Sequence, residues 1–109
     1  MHHYIELGTY TDQGLRELKG TPKSDNARRI LERLGGEIQL YYTLGRYDFV
    51  AIVDLPREED MLRFLSEIDS LGYVRSTALK AWSETEVAQL LSKKELIEER
   101  DLTRRRSSI

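Results

Sequence analysis

The sequence contains no cysteine. That excludes disulfides, thiolate metal sites and a thiol nucleophile. It has no apolar run near the ~20 residues that a membrane-spanning helix needs. It has no excess of one charge either: 17 Lys and Arg stand against 19 Asp and Glu, a formal net charge of −2. No basic field is available to bind nucleic acid or to hold an anionic membrane, so neither is expected as a partner. Histidine is scarce, and both copies sit at the start as His2-His3. Adjacent residues on an extended chain point opposite ways, which makes the pair a poor metal site. There is no His-x-His, no Glu-x-x-His and no glycine-rich phosphate loop, so no metal and no cofactor are expected. The opening Met1-His2-His3-Tyr4-Ile5-Glu6 lacks the charged start and apolar stretch of a secretion signal, and a cytoplasmic location is expected.

What is present is one polar globular domain: 109 residues, 39% hydrophobic and 33% charged, enough for a single core. Residues 3–10 read as a strand, with Ile5 and Leu7 alternating with Tyr4, Glu6 and Gly8. Thr11 or Asp12 can cap a short helical turn carrying Leu15 and Leu18. Pro22 suits a first helical position behind a Thr21 cap. Ala27, Ile30, Leu31 and Leu34 then form one helical stripe that ends at Gly35-Gly36. Residues 37–44 read as a second strand with Ile38, Leu40, Tyr42 and Leu44 on one side. Gly45-Arg46 reads as a two-residue hairpin.

The third strand, 47–54, breaks the simple alternation. Phe49, Ala51 and Val53 are apolar on one face; Val50 and Ile52 are apolar on the other. A strand apolar on both faces is expected to be covered on both. One cover is a helix layer. A chain this short has few elements left for the second, so Val50 and Ile52 are expected to meet a partner subunit, giving a homodimer or a higher assembly. Pro56 opens a second long helix with acids in its first turn. Its stripe is Met61, Leu65, Ile68 and Leu71, flanked by Leu62 and Phe64, and Gly72 ends it. Residues 73–82 read as a polar edge strand. Ser83-Glu84-Thr85-Glu86 is a capping box opening a terminal helix with Val87, Leu90, Leu91 and Ile97 along it.

The predicted fold is therefore α+β: a ferredoxin-like β-α-β-β-α-β arrangement with a four-stranded antiparallel sheet, plus a C-terminal helix. Right-handed crossovers put the first and third strands in the centre and both helices on one face. Residues 1–92 are read as the domain. Residues 93–109 are read as a charged helical extension with an Asp101–Arg105 pair and a frayed Arg104-Arg105-Arg106 end.

These residues resemble the GYD domain family. The resemblance rests on Tyr10-Thr11-Asp12-Gln13-Gly14 after the opening strand, Gly35-Gly36 after the first helix, and Leu44-Gly45-Arg46-Tyr47-Asp48-Phe49-Val50. It also rests on Leu71-Gly72-Tyr73-Val74-Arg75-Ser76 leading into the last strand. It spans about residues 4 to 91. It implies a dimeric α/β-barrel fold and no particular activity. Relatives of that fold include cofactor-independent monooxygenases, haem-handling enzymes, small isomerases and ligand-sensing domains, and fold alone does not choose among them.

The candidate ligand or pocket residues are Tyr10, Asp12, Tyr42, Arg46, Tyr47, Asp48 and Trp82. Tyr47 and Asp48 can supply a donor and a base, yet turn chemistry alone accounts for both residue types. The aromatic residues can line a pocket for a small organic ligand, yet sheet packing explains them as well. Asp12 is accounted for by capping, and Arg46 can bind a carboxylate or simply sit in solvent at a turn tip. No complete catalytic constellation is legible. Two functions remain open: a homo-oligomeric small-ligand-binding, regulatory or assembly module, and a cofactor-independent monooxygenase or isomerase acting on a small aromatic or enolisable substrate. A cavity holding a titratable group in a perturbed environment would favour the enzyme. Asp48 bonded only to backbone would count against it.

Overall fold

A computed structural model describes residues 1–18 and 24–92. The elements are β1 (His2–Tyr10), α1 (Asp12–Leu18), α2 (Asp25–Arg33), β2 (Glu37–Tyr42), β3 (Phe49–Leu55), α3 (Glu59–Leu71), β4 (Val74–Ala81) and α4 (Glu84–Leu91). The strands form one sheet in the order β2-β3-β1-β4, with every pair antiparallel. This is the ferredoxin-like arrangement, with β1 and β3 central and β4 at an edge, as expected. The Pro22 helix start, the Ile97 end of the terminal stripe, the Asp101–Arg105 pair and the whole 93–109 extension lie outside the described residues. Among the described residues no helix is long and apolar enough to cross a membrane.

The core lies between one face of the sheet and helices α2 and α3. Phe49, Ala51, Val53 and Leu55 of β3 meet Ile30 and Leu31 of α2 and Met61 and Phe64 of α3, all buried. An ion pair from Arg33 to Glu67, 2.7 Å, bridges the two helices on the outside. The α2 stripe is as its spacing predicts, with Ala27 and Leu34 packed against the buried pair. In α3 the stripe is narrower than expected. Phe64 is at its centre, while Leu62 is 72% exposed; positions 61, 64, 65 and 68 complete the inward arc, and 62 falls outside it. The helix begins at Glu59, three residues after Pro56.

Burial along β1 alternates, and the sense of the alternation matters. Tyr4, Glu6 and Gly8 are buried beneath the helices, whereas Ile5 and Leu7 lie on the other face. The pairing register explains this. Glu6 stands opposite Ala51, and Ile5 and Leu7 stand opposite Ile52 and Val50. Cross-strand partners share a face, so the heavily apolar β3 decides which β1 residues go inside.

The connection from β2 to β3 differs from the expected two-residue hairpin. β2 ends at Tyr42 and β3 begins at Phe49, leaving 43–48 as an irregular loop. Thr43 N donates to Asp48 O at 3.0 Å, and Thr43 Oγ1 donates to Tyr47 O at 2.7 Å. Gly45 takes a φ of +122°, which a side chain would resist. The reason for the wider loop is a competing partner. Asp48 N donates to Gly8 O at 2.8 Å, and its carboxylate Oδ2 accepts from Tyr10 N at 2.8 Å. Asp48 is thus fastened to the end of β1 through its amide and carboxylate, while its carbonyl is held by Thr43.

Two caps follow the sequence closely. Thr11 Oγ1 accepts from Gly14 N at 3.0 Å at the start of α1 and donates to Gly72 O at 2.6 Å. At α4, Glu86 N donates to Ser83 Oγ at 3.1 Å, and Ser83 N donates to Glu86 Oε1 at 2.7 Å, which completes the capping box.

Candidate functional site

Between the sheet and helices α2 and α3 lies a cavity of about 80 Å³. Its floor is made by β1 and β3. Gly8 sits midway between Glu6 and Tyr10 on the covered face, and the Phe49 ring occupies the place where a side chain would be. A Cβ on Gly8 would come within 2.0 Å of that ring. The missing side chain therefore lets Phe49 lie flat on β1, tilted against Tyr10 with ring centroids 5.6 Å apart. Phe64, Ile68 and Leu71 of α3 form the roof, and Leu40 and Tyr42 of β2 form one wall. Tyr42 is 50% exposed and marks the rim. By comparison, a dry cavity of about 150 Å³ accommodates benzene. The space suits a ligand of a few heavy atoms.

One ionisable group lies within this apolar lining. Glu6 is only 4% exposed. Ser76 Oγ donates to its Oε1 at 3.4 Å, a long bond for a charged acceptor. Burial is the largest influence on the carboxyl and disfavours its charged form; Asp69 of α3 adds in the same direction, and the Ser76 bond opposes them. Together they push Glu6 up to about 7. Burial also raises the Tyr10 hydroxyl to about 12, helped by the adjacent Tyr42 and by Asp48. Among the described residues no Lys or Arg lines the cavity.

The candidates from the sequence divide. Tyr10 and Tyr42 line the cavity. Asp12, Arg46, Tyr47, Asp48 and Trp82 do not. Asp12 occupies the first turn of α1. Arg46 lies over the Tyr47 ring at 5.8 Å. Trp82 is 55% exposed, with Lys80 5.7 Å from its ring. Asp48 bonds backbone at the end of β1. Tyr47 and Asp48 precede β3, which begins at Phe49 rather than at 47 as expected. Val50 and Ile52 lie on the face away from the helices. Glu6 was not among the candidates. Its signal was the prediction that β1 is a central strand beneath helices; which of its two alternating sets turns inward is set by the pairing with β3.

The imidazole-bearing cluster is separate from the cavity. His3 Nδ1 meets Asp54 Oδ1, and His3 Nε2 lies 3.1 Å from Glu86 Oε1. It ties β1, β3 and the first turn of α4 together. Among the described residues, no group of three or more His, Asp or Glu is arranged to hold a metal ion.

The model of the GYD domain family matches residues 4–91 of the chain. No curated protein and no solved structure matches it.

Proposed function

The chain belongs to the GYD domain family, and on that premise we propose that it is a cytoplasmic, homodimeric small-ligand-binding module. The cavity between sheet and helices is the binding site. The observation that carries this reading is Glu6, a carboxyl 4% exposed in an otherwise apolar, aromatic-lined cavity. A core built only for stability gains nothing from such a group, because burying it costs free energy that an apolar side chain would not. A few convergent polar groups in an apolar concavity are the usual make-up of a ligand site.

The dimer is supported by the opposite face of the sheet. Ile5 stands between Ile52 and Leu79, and Leu7 stands beside Val50, which pairs with Tyr41. These side chains form an apolar band across all four strands, with Leu79 46% and Tyr41 59% exposed. A contiguous apolar patch of that kind marks an interaction surface. Its neighbour α4 leaves Val87, Leu90 and Leu91 exposed as well.

A second reading, a cofactor-independent isomerase or monooxygenase acting on a small aromatic or enolisable substrate, has one observation in its favour. A carboxyl pushed up to about 7 is suited to accept and return a proton near neutrality. The intermediate in such chemistry is an enolate, and its negative charge would form beside Glu6, with Asp69 acting on the same site and no lining cation among the described residues. The electrostatics oppose it, so binding is preferred.

Native mass spectrometry of the gently purified protein tests the main reading. The expected result is one small-molecule adduct per chain, lost in Ala51→Leu, which places extra volume directly beside Glu6. A protein that carries no adduct and binds nothing from a screen of neutral and cationic fragments sinks it.

A further inference from the structure

Resting on the reading of this cavity as a small-ligand pocket, we infer that its ligand is a small organic cation, an ammonium group on an apolar body, held by the Glu6 carboxylate. Three features of the geometry converge on that class. First, Glu6 is short of partners. A carboxylate offers about four acceptor sites, and the Ser76 hydroxyl at 3.4 Å occupies one of them weakly. An ammonium brings three donors to the same place.

Second, among the described residues the groups facing Glu6 across the cavity are acidic or neutral, while Lys80 of β4, on the same face, turns its ammonium to His2 Nδ1 at 3.1 Å. Asp69 acts on it from α3. Tyr10 on β1 and Tyr42 on β2 present hydroxyls, with Asp48 acting on Tyr10 from the 43–48 loop. Ser76 on β4, and Ser24 and Asn26 at the start of α2, are uncharged. A low-dielectric concavity with acids and, among the described residues, no lining cation concentrates positive charge and repels anions. Third, the walls are aromatic. Phe49 and Phe64 line the cavity beside Tyr10, and aromatic faces attract a desolvated cation further. A neutral ligand would leave the carboxylate unpaired. A neutral hydrogen-bond acceptor could bond only the protonated acid, which is lost as pH rises.

Three near-isosteric probes separate these cases: isobutylamine, isobutanol and isobutyrate. Each is titrated into the full chain while the methyl signals of Ala51, Leu40 and Ile68 are followed by NMR. Isobutylamine is expected to shift these signals and to bind about tenfold more tightly at pH 8 than at pH 6, because Glu6 ionises at about 7 while an alkylammonium stays charged throughout. Isobutanol is expected to bind more weakly and isobutyrate not at all. Glu6→Gln is expected to weaken isobutylamine at least tenfold and to abolish its pH dependence. The same variant is expected to keep its isobutanol shifts, which shows that the pocket is intact. If isobutanol binds as tightly as isobutylamine at both pH values, cation selectivity is overturned and the small-ligand reading survives. If no probe moves these signals at tens of millimolar, both fall.

Discussion

The two faces of the sheet are built from the same four strands and solve different problems. The face beneath the helices is buried within a single chain, yet it contains a carboxyl, Glu6, and a gap, Gly8. The other face is only partly covered by the described residues, yet it carries Ile5, Leu7, Val50 and Ile52. In β1 the inside residues are the less apolar set. Folding stability alone would arrange the strand the other way round. On the proposed reading the inner face takes a ligand and the outer face a second copy.

The largest effects should separate the faces outright. Phe64 is 1% exposed at the centre of the covered face. Phe64→Ala is expected to cost about 3–5 kcal/mol in denaturant unfolding at fixed protein concentration, through lost transfer energy and the space left behind. On the other face, Ile52→Asp or Val50→Asp is expected to leave the chain folded and convert the proposed dimer to monomer, read by light scattering after size exclusion. Both variants remaining fully dimeric would remove the face-to-face assembly and leave the apolar side of β1 without a cover.

A smaller effect, of opposite sign, tests whether Glu6 is a liability in the unliganded fold. Its unfolded value is near 4.5, and its folded value is raised to about 7. The folded state therefore binds more protons between those values, and the contribution of Glu6 to stability falls as pH rises through that window and then levels. Two and a half pH units correspond to about 3 kcal/mol. Glu6→Gln is expected to be more stable than the natural chain at pH 8 by up to about that amount and close to it at pH 4, measured by urea titration at each pH. A natural chain that gains stability relative to the variant from pH 5 to pH 8 would show the carboxylate to be well paired, and the covered face would lose its contrast with the open one.

The frame of the molecule was legible because it is written in local signals. Ala27-x-x-Ile30-Leu31-x-x-Leu34 has helical spacing, Ser83 and Glu86 have capping spacing, and the two-faced apolar pattern of β3 announced a central strand. The site was not legible, because it depends on register. Whether Glu6 or Ile5 turns inward is decided by which β3 residue each one faces, and pairing between residues 45 positions apart leaves no mark on the β1 sequence alone. The loop at 43–48 escaped for a similar reason. Gly45-Arg46 carries the chemistry of a tight turn, but the bonds that widen the loop come from Gly8 and Tyr10, on a different strand. Tyr10 and Tyr42 were legible as aromatic strand residues. What gathers them into one cavity is again the register, with Tyr42 opposite Phe49 and Phe49 opposite Gly8.

The smallest expected effect concerns Asp48, the acid in the motif that marks the family. Its carboxylate accepts from Tyr10 N and its amide donates to Gly8 O, so it fastens the end of β1 beside the cavity without lining it. Asp48→Asn keeps an acceptor oxygen in place and removes the charge. The expected loss is about 1 kcal/mol, the difference between a charge-assisted and a neutral hydrogen bond. Asp48→Ala leaves the Tyr10 amide without that partner and should cost about 2 kcal/mol. In both variants isobutylamine affinity is expected to fall far less than in Glu6→Gln, since Asp48 acts on the cavity only through Tyr10. The opposite ranking, with Asp48→Asn abolishing amine binding while unfolding is unchanged, would move the anionic anchor from the covered strand to the loop. The acid of the motif would then be a ligand group, and Glu6 only a buried carboxyl beside it.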